Sequence, residues 1–417
     1  MSQTDFIKYI RTPEFKALLN KYEEALNSGV DNFIDSEDLV DIAEYYHYSG
    51  MMEKAEEAAD YCLEQYPDCA TALYFKSHME LTDHSNPDEA MRLLKRLPED
   101  DDNVEKTFIE AEVKIVYGDS EGADKILRER YARLKSQVES QDGIYGVALD
   151  SEYDEESDED WLLEDYSHFP LNTAMIFCDH CCFGYAEKWM KMMDKPLQDM
   201  LFEYWETWGR IYLETKRTEE AIKAWNNALD IDAYNIGVWV QLGNAQYIAG
   251  KFEDCLQSAN FALAIEPDLQ DALNMKGASL YSLDRIDEAM ELFCHYADVY
   301  PDDPQADIFL GTLYFAKNDS ATGMDHFSSA IDKSDYDVEV IIKVSMMLRE
   351  LTYVEQAYKL LRSIEISYVV NDKEDDCPMM LLEALMECCK DLGKDDEYIK
   401  YKERIDRLDS NCDESWR

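Results

Sequence analysis

Glycine is scarce in this chain of 417 residues, with 15 copies, and histidine is scarcer, with 7. No glycine-rich phosphate loop, no Gly-x-Ser-x-Gly elbow and no His-Glu-x-x-His occurs in it. The sequence signatures of nucleotide-phosphate binding, serine hydrolysis and zinc peptidases are therefore missing. Positive charge is also in short supply: 40 Lys and Arg stand against 91 Asp and Glu, a formal net charge of −51. Such a field repels phosphates and anionic lipid, so nucleic acid and membranes are excluded as expected partners and a basic or neutral protein is favoured. There is no apolar run of membrane-spanning length. Met1 to Phe15 carries Asp5, Lys8, Arg11 and Glu14 and no signal-peptide core; the expectation is a cytoplasmic protein. The cysteine count, 11, is odd. The cysteines mostly fall at helix-core spacing, which predicts buried free thiols rather than a disulfide framework.

What is present is a period. Gly209, Gly243, Gly277 and Gly311 stand 34 residues apart. A second small slot runs in phase through Ala221, Cys255, Ala289 and Gly323. Large residues share further slots: Trp205, Trp239 and Leu273; Trp208, Leu242 and Leu310; Trp225, Phe293 and Phe327. A unit of this length holds two antiparallel helices of three to four turns. Small residues let the two backbones approach, with Gly243 expected to face Ala259 or Cys255, and the large ones are expected to pack into the next unit. Gly250 closes one helix in a left-handed conformation, and Pro267 and Pro301 stop another. A single unit cannot cover its own apolar face, so the units must stack.

Residues 236–269 carry Trp239, Leu242, Gly243, Phe252, Ala259, Ala262 and Pro267 at fixed slots, a pattern that resembles the tetratricopeptide repeat family. The resemblance implies an all-α solenoid of helix–turn–helix repeats forming a right-handed superhelix. Repeats are expected to start near Ser36, Ala70 and Val104, then near Phe202, Ile236, Gln270, Pro304 and Val338. In the first of these Ala43, Tyr46, Gly50, Ala55 and Pro67 are recognisable, and the second is stretched at His84–Pro87. The expected organisation is a capping helix in 1–35, repeats in 36–138, an acidic insert in 139–167, a divergent helical repeat in 168–201, repeats in 202–371 and capping helices in 372–417. Asp150 to Asp165 has no Lys or Arg and is read as a solvated loop anchored by Trp161; docking of this acidic, aromatic segment onto a partner is the alternative.

No catalytic residue, cofactor or metal is expected. Cys178 and Cys181 have zinc-like spacing, but no second cysteine pair stands near them, and buried thiols explain Cys178, Cys181 and Cys182 better. A latent metal or thiol site there, in an accessory or regulatory protein, remains the alternative function. The leading expectation, which the resemblance implies, is a non-enzymatic scaffold that binds a partner peptide or helix along the concave face lined by the first helices. The residues left free there are Val240, Asn244 and Tyr247, then Asn274, Ala278 and Tyr281, then Ile308, Thr312 and Phe315, with Tyr74 and His78 in the N-terminal half. Family members that clamp acidic chaperone tails use Lys, Arg and Asn; the matching slots here hold Gln241, Asn244, Asn274 and Phe309, so that role is rejected. The expected partner is apolar with basic flanks.

Overall fold

The computed structural model describes Phe6 and residues 9–28, 33–98, 102–142, 158–193, 196–197, 200–370 and 377–415. They form 21 helices, and no strand occurs among the described residues. The chain divides into two compact units, Met1–Ile211 and Tyr212–Arg417.

The first unit opens with α1 (Pro13–Ser28). Thr12 caps it, its Oγ1 accepting from the Phe15 amide at 3.2 Å. Proline in the first turn loses no helical hydrogen bond there. Helix pairs follow: α2 (Ser36–Tyr48) with α3 (Met52–Gln65), α4 (Ala70–Thr82) with α5 (Pro87–Leu94), α6 (Val104–Val116) with α7 (Ser120–Asp142), and α8 (Asp158–Asp179) with α9 (Phe183–Met190). The first helices α2, α4, α6 and α8 also pack in series on one another. Helix α10 (Leu201–Glu214) spans the division between the units.

The second unit continues with α11 (Thr218–Ile231), α12 (Ile236–Ile248), α13 (Phe252–Ile265), α14 (Gln270–Ser282), α15 (Ile286–Val299), α16 (Pro304–Ala316), α17 (Ser320–Lys333), α18 (Val338–Glu350), α19 (Val354–Val370), α20 (Met379–Asp391) and α21 (Asp395–Ser415). The first helices α12, α14, α16 and α18 start 34 residues apart, and so do their partners from α11 to α19. Helix α20 breaks that phase by starting 41 residues after α18.

The small slot is wholly buried wherever a side chain fills it: Ala55, Ala90, Ala123, Ala221, Cys255, Ala289 and Ala357. The glycines serve a more varied purpose than expected. A Cβ on Gly243 would lie 2.2 Å from the sulfur of Met275, on the next first helix, and 3.4 Å from Ser258. It therefore faces neither Ala259 nor Cys255 as its nearest neighbour. On Gly277 a Cβ would sit 2.2 Å from the ring of Phe293, and on Gly311 2.6 Å from the ring of Phe327. Each ring lies over the glycine of its own pair, because only a missing Cβ leaves room for an aromatic face against the opposite helix; Phe293 also reaches the next pair, stacking on Phe309 at 4.3 Å.

The turn inside each pair needs one left-handed residue. Gly50, Gly118, Gly250 and Gly393 supply it at φ near +70°, but Lys216, Asp284, Asn318 and Thr352 hold the same position with φ from 58° to 71°. The acidic run departs from its expected form. Residues 150–157 and the Trp161 side chain lie outside what is described, but α8 begins at Asp158, so the rest of that segment is helix and not loop. Tyr166 on it stacks on Tyr131 at 5.0 Å.

Candidate partner-binding faces

The first helices of the second unit carry most of the expected site. Asn244 and Tyr247 on α12 and Tyr281 on α14 are exposed; Val240, Asn274, Ala278 and Thr312 are half-buried. Tyr247 lies edge-on to Phe252 at 5.2 Å, and its hydroxyl meets Ser282 Oγ of the next first helix at 3.2 Å. The Oδ1 of Asn274 is buried without a hydrogen-bond partner, an acceptor left open for a donor.

Three expected members are core residues instead. Ile308 and Phe315 are 5% and 9% exposed, and Tyr74 is 6% exposed. Phe315 turns inward because the small slot of its own pair is occupied by Gly323, where a Cβ would lie 2.6 Å from the Phe315 ring. That gap lets the ring lie on α17, beside Phe327 at 5.6 Å and Tyr353 at 4.9 Å. Ile308 joins the same apolar cluster as Phe315, Phe327 and Ile342. Tyr74 packs into the N-terminal cluster. Thr312 donates its hydroxyl to the Ile308 carbonyl at 3.0 Å. The exposed aromatic strip is thus confined to α12 and α14.

In the first unit α4, α6 and α8 enclose a groove of about 520 Å³. Leu81, Phe108, Ile109, Met175 and Ile176 give it apolar walls, and Glu105, Glu112, Asp179, His78 and His180 give it polar groups. His180 Nε2 lies 3.0 Å from Glu112 Oε1, and Arg210 donates to Asp179 at 2.7 Å. Burial pushes the Glu105 carboxyl above its ordinary pKa, with Glu112 and Asp165 adding repulsion and His78 opposing them. A carboxylate held this way is relieved by an incoming cation. Among these lining residues, His78 is the one expected from the sequence to meet a partner. Its acidic members come from helices far apart in the chain; the one available signal is Glu105 and Glu112, seven residues apart on α6 beside Phe108 and Ile109.

A third hollow, of about 210 Å³, lies between α18 and α20 and is lined by Ile342, Ser345, Met346, Arg349, Leu361, Met380, Glu383, Ala384, Glu387 and Cys388. No expected site residue lies in it.

Burial drives the Cys178 thiol up to about 12, so it stays protonated and is a poor nucleophile or ligand. Cys181 is exposed, and Cys182 lies 3.4 Å from Ser120 Oγ. Where three ligand atoms do converge among the described residues, they belong to Glu56, Glu80 and His84. Both imidazole nitrogens there face carboxylates, at 3.7 and 3.5 Å, an arrangement that a simple ion pair explains. No helix among the described residues is long and apolar enough to cross a membrane.

Comparison with known proteins gives the following. A model of the TPR repeat matches residues 209–250. The Arabidopsis thaliana protein CTR9 homolog is 26% identical over 136 residues, which is 32% of this chain and 12% of that protein. Among solved structures, yeast Tom70 is 13% identical with a TM-score of 0.44, covering 97% of this chain and 91% of that one. YrrB, described as a TPR protein with an unusual peptide-binding site, is 17% identical with a TM-score of 0.36, covering 42% and 90%.

Proposed function

Starting from a chain that carries tetratricopeptide repeats, we propose that it is a non-enzymatic scaffold that captures a segment of a partner protein on the faces of its first helices. Its partner segment is apolar with basic flanks, and it works in a reducing, cytoplasmic compartment where its thiols persist. One observation carries this reading: the groove of the first unit, in which Glu105, Glu112 and Asp179 stand around Phe108, Ile109 and Ile176. Apolar walls take hydrocarbon, and a buried carboxylate with a raised pKa repays a cation that pairs with it. In the second unit Val240, Asn244, Tyr247, Asn274, Ala278, Tyr281 and Thr312 supply rings and amides for a peptide backbone, with His78 contributing in the first.

Panning the full chain against displayed random peptides tests this. Enriched peptides should be apolar and net basic. Their affinity should fall with rising salt, because pairing in a strongly negative field is screened over about 10 Å at 0.1 M ionic strength. Glu105→Gln with Glu112→Gln, or Tyr247→Ala with Tyr281→Ala, should weaken capture while helical content is kept. Enrichment of acidic peptides, or capture unchanged in both double variants, refutes the proposal.

A further inference from the structure

The hollow between α18 and α20 lies on the same first-helix face, at the position where the 34-residue phase slips. Its floor is made by buried side chains: Ile342, Leu361 and Cys388 are 3%, 0% and 1% exposed. Its mouth is flanked by two methionines, Met346 and Met380, at 48% and 58% exposure. Methionine is flexible and polarizable and adapts its shape to an aromatic ring. A volume of about 210 Å³ falls short of the roughly 300–1,000 Å³ of small-molecule and cofactor sites. It suits a single large side chain.

One buried polar atom beside this apolar space has no partner among the described residues. Ser345 lines the hollow, is 1% exposed, and its Oγ has no hydrogen-bond partner among the described residues. A buried hydroxyl left so is unfavourable until something pairs with it. A purely hydrocarbon occupant would leave it orphaned. A charged head would meet no opposite charge on the floor, because burial raises the Cys388 pKa and keeps that thiol neutral. The one cation at the rim, Arg349, is already held by Glu387 at 3.0 Å and by Asp391. Phosphate and carboxylate are therefore poorly served. What fits is a flat apolar body with one neutral polar tip.

We propose that this hollow is an anchor pocket for a tyrosine side chain of the captured partner, with the phenol ring between Met346 and Met380 and its hydroxyl on Ser345. The exposed rim carboxylate Glu383 then favours a basic residue beside that tyrosine. The proposal rests on the capture reading above and sharpens it.

The test uses the full chain carrying ¹³C-methyl methionine, titrated with p-cresol as the tyrosine side chain and with toluene as its hydrocarbon counterpart. The Met346 and Met380 methyl signals, assigned by single Met→Leu changes, should shift saturably with p-cresol. p-Cresol should bind roughly fivefold more tightly than toluene, about 1 kcal/mol. Ser345→Ala should erase that preference, and Ala384→Leu, which fills the space, should abolish both shifts. Absence of a shift at millimolar p-cresol, equal binding of the two probes, or a stronger response to N-acetyl-lysine methylamide overturns the proposal. The titration reports this pocket alone. A chain that binds p-cresol but enriches no basic peptide overturns the capture reading and not the pocket; the reverse result overturns the pocket and not the capture.

Discussion

Gly243, Gly277 and Gly311 occupy one slot of the repeat, yet alanine should affect them differently. Replacing a helical glycine by alanine gains about 1 kcal/mol of helix propensity. Overpacking a filled site costs about 1–3 kcal/mol. The balance depends on what the new methyl meets. At Gly243 it meets the sulfur and terminal methyl of Met275, at 2.2 and 2.6 Å, the far end of a side chain with three rotatable bonds. The sulfur can swing aside, so Gly243→Ala should lie within about 1 kcal/mol of neutral. At Gly277 it meets the Phe293 ring at 2.2 and 2.3 Å. That ring is 2% exposed and stacked on Phe309 at 4.3 Å, so it has nowhere to go. Gly277→Ala should cost a net 1–2 kcal/mol, roughly. At Gly311 the Phe327 ring at 2.6 Å is joined by the Gly323 carbonyl oxygen at 3.1 Å. Backbone must part there, so the cost should be at least as large. Urea unfolding of the full chain, followed by helical circular dichroism, measures the order of midpoints. Phe293→Leu in the Gly277→Ala background should show a favourable coupling of about 1 kcal/mol. If Gly243→Ala lowers the midpoint as far as Gly277→Ala does, or if Gly277→Ala raises it, the contacts assigned to this slot are wrong.

Two further outcomes follow. Thr352 is a β-branched residue at φ +71°, a conformation costing roughly 1–2 kcal/mol, so Thr352→Gly should raise the urea midpoint of its transition by the equivalent of about 1 kcal/mol; an unchanged midpoint would show the turn is unstrained. Glu105 has its folded-state pKa raised by burial, with Glu112 and Asp165 adding to it; its neutral form is favoured by folding, a contribution complete below the unfolded carboxyl value of about 4.3 and lost as pH rises through the folded value. Glu105→Gln should therefore stabilise at pH 7, and the gain should shrink as pH is lowered toward about 4; a gain independent of pH would contradict the stated cause.

Much of the fold can be read in the sequence because the repeat fixes it locally. Glycine and alanine mark where backbones meet, and the phase of Gly209 to Gly311 places the starts of α12, α14, α16 and α18. The stretch at His84–Pro87 appears as a helix start at Pro87, 35 residues after Met52. Charge alone reads the run as loop, but the apolar series Leu162, Tyr166 and Phe169 at helical spacing lies within α8. Slot position gives a side chain's direction around its own helix, which is enough for Asn244, Tyr247 and Tyr281. It does not tell what leans on that side chain. Phe315 is buried because Gly323, eight residues on and across the turn, leaves a gap. The groove acids could not be assembled from the sequence: Glu112 meets His180 across 68 residues, and no local pattern encodes such a meeting.

The late start of α20 has a wider meaning. A stack of identical units resembles a one-dimensional crystal, in which every lattice site is filled by the copy before it. Seven extra residues between Val338 and Met379 act as a dislocation in that lattice. Regular stacking has no reason to leave a hollow; a dislocation does, since neighbouring layers no longer register. Ser345 sits at that fault with its hydroxyl unmatched. Restoring the period by deleting seven residues from the connection before α20 would heal the fault, and the hollow should vanish with it.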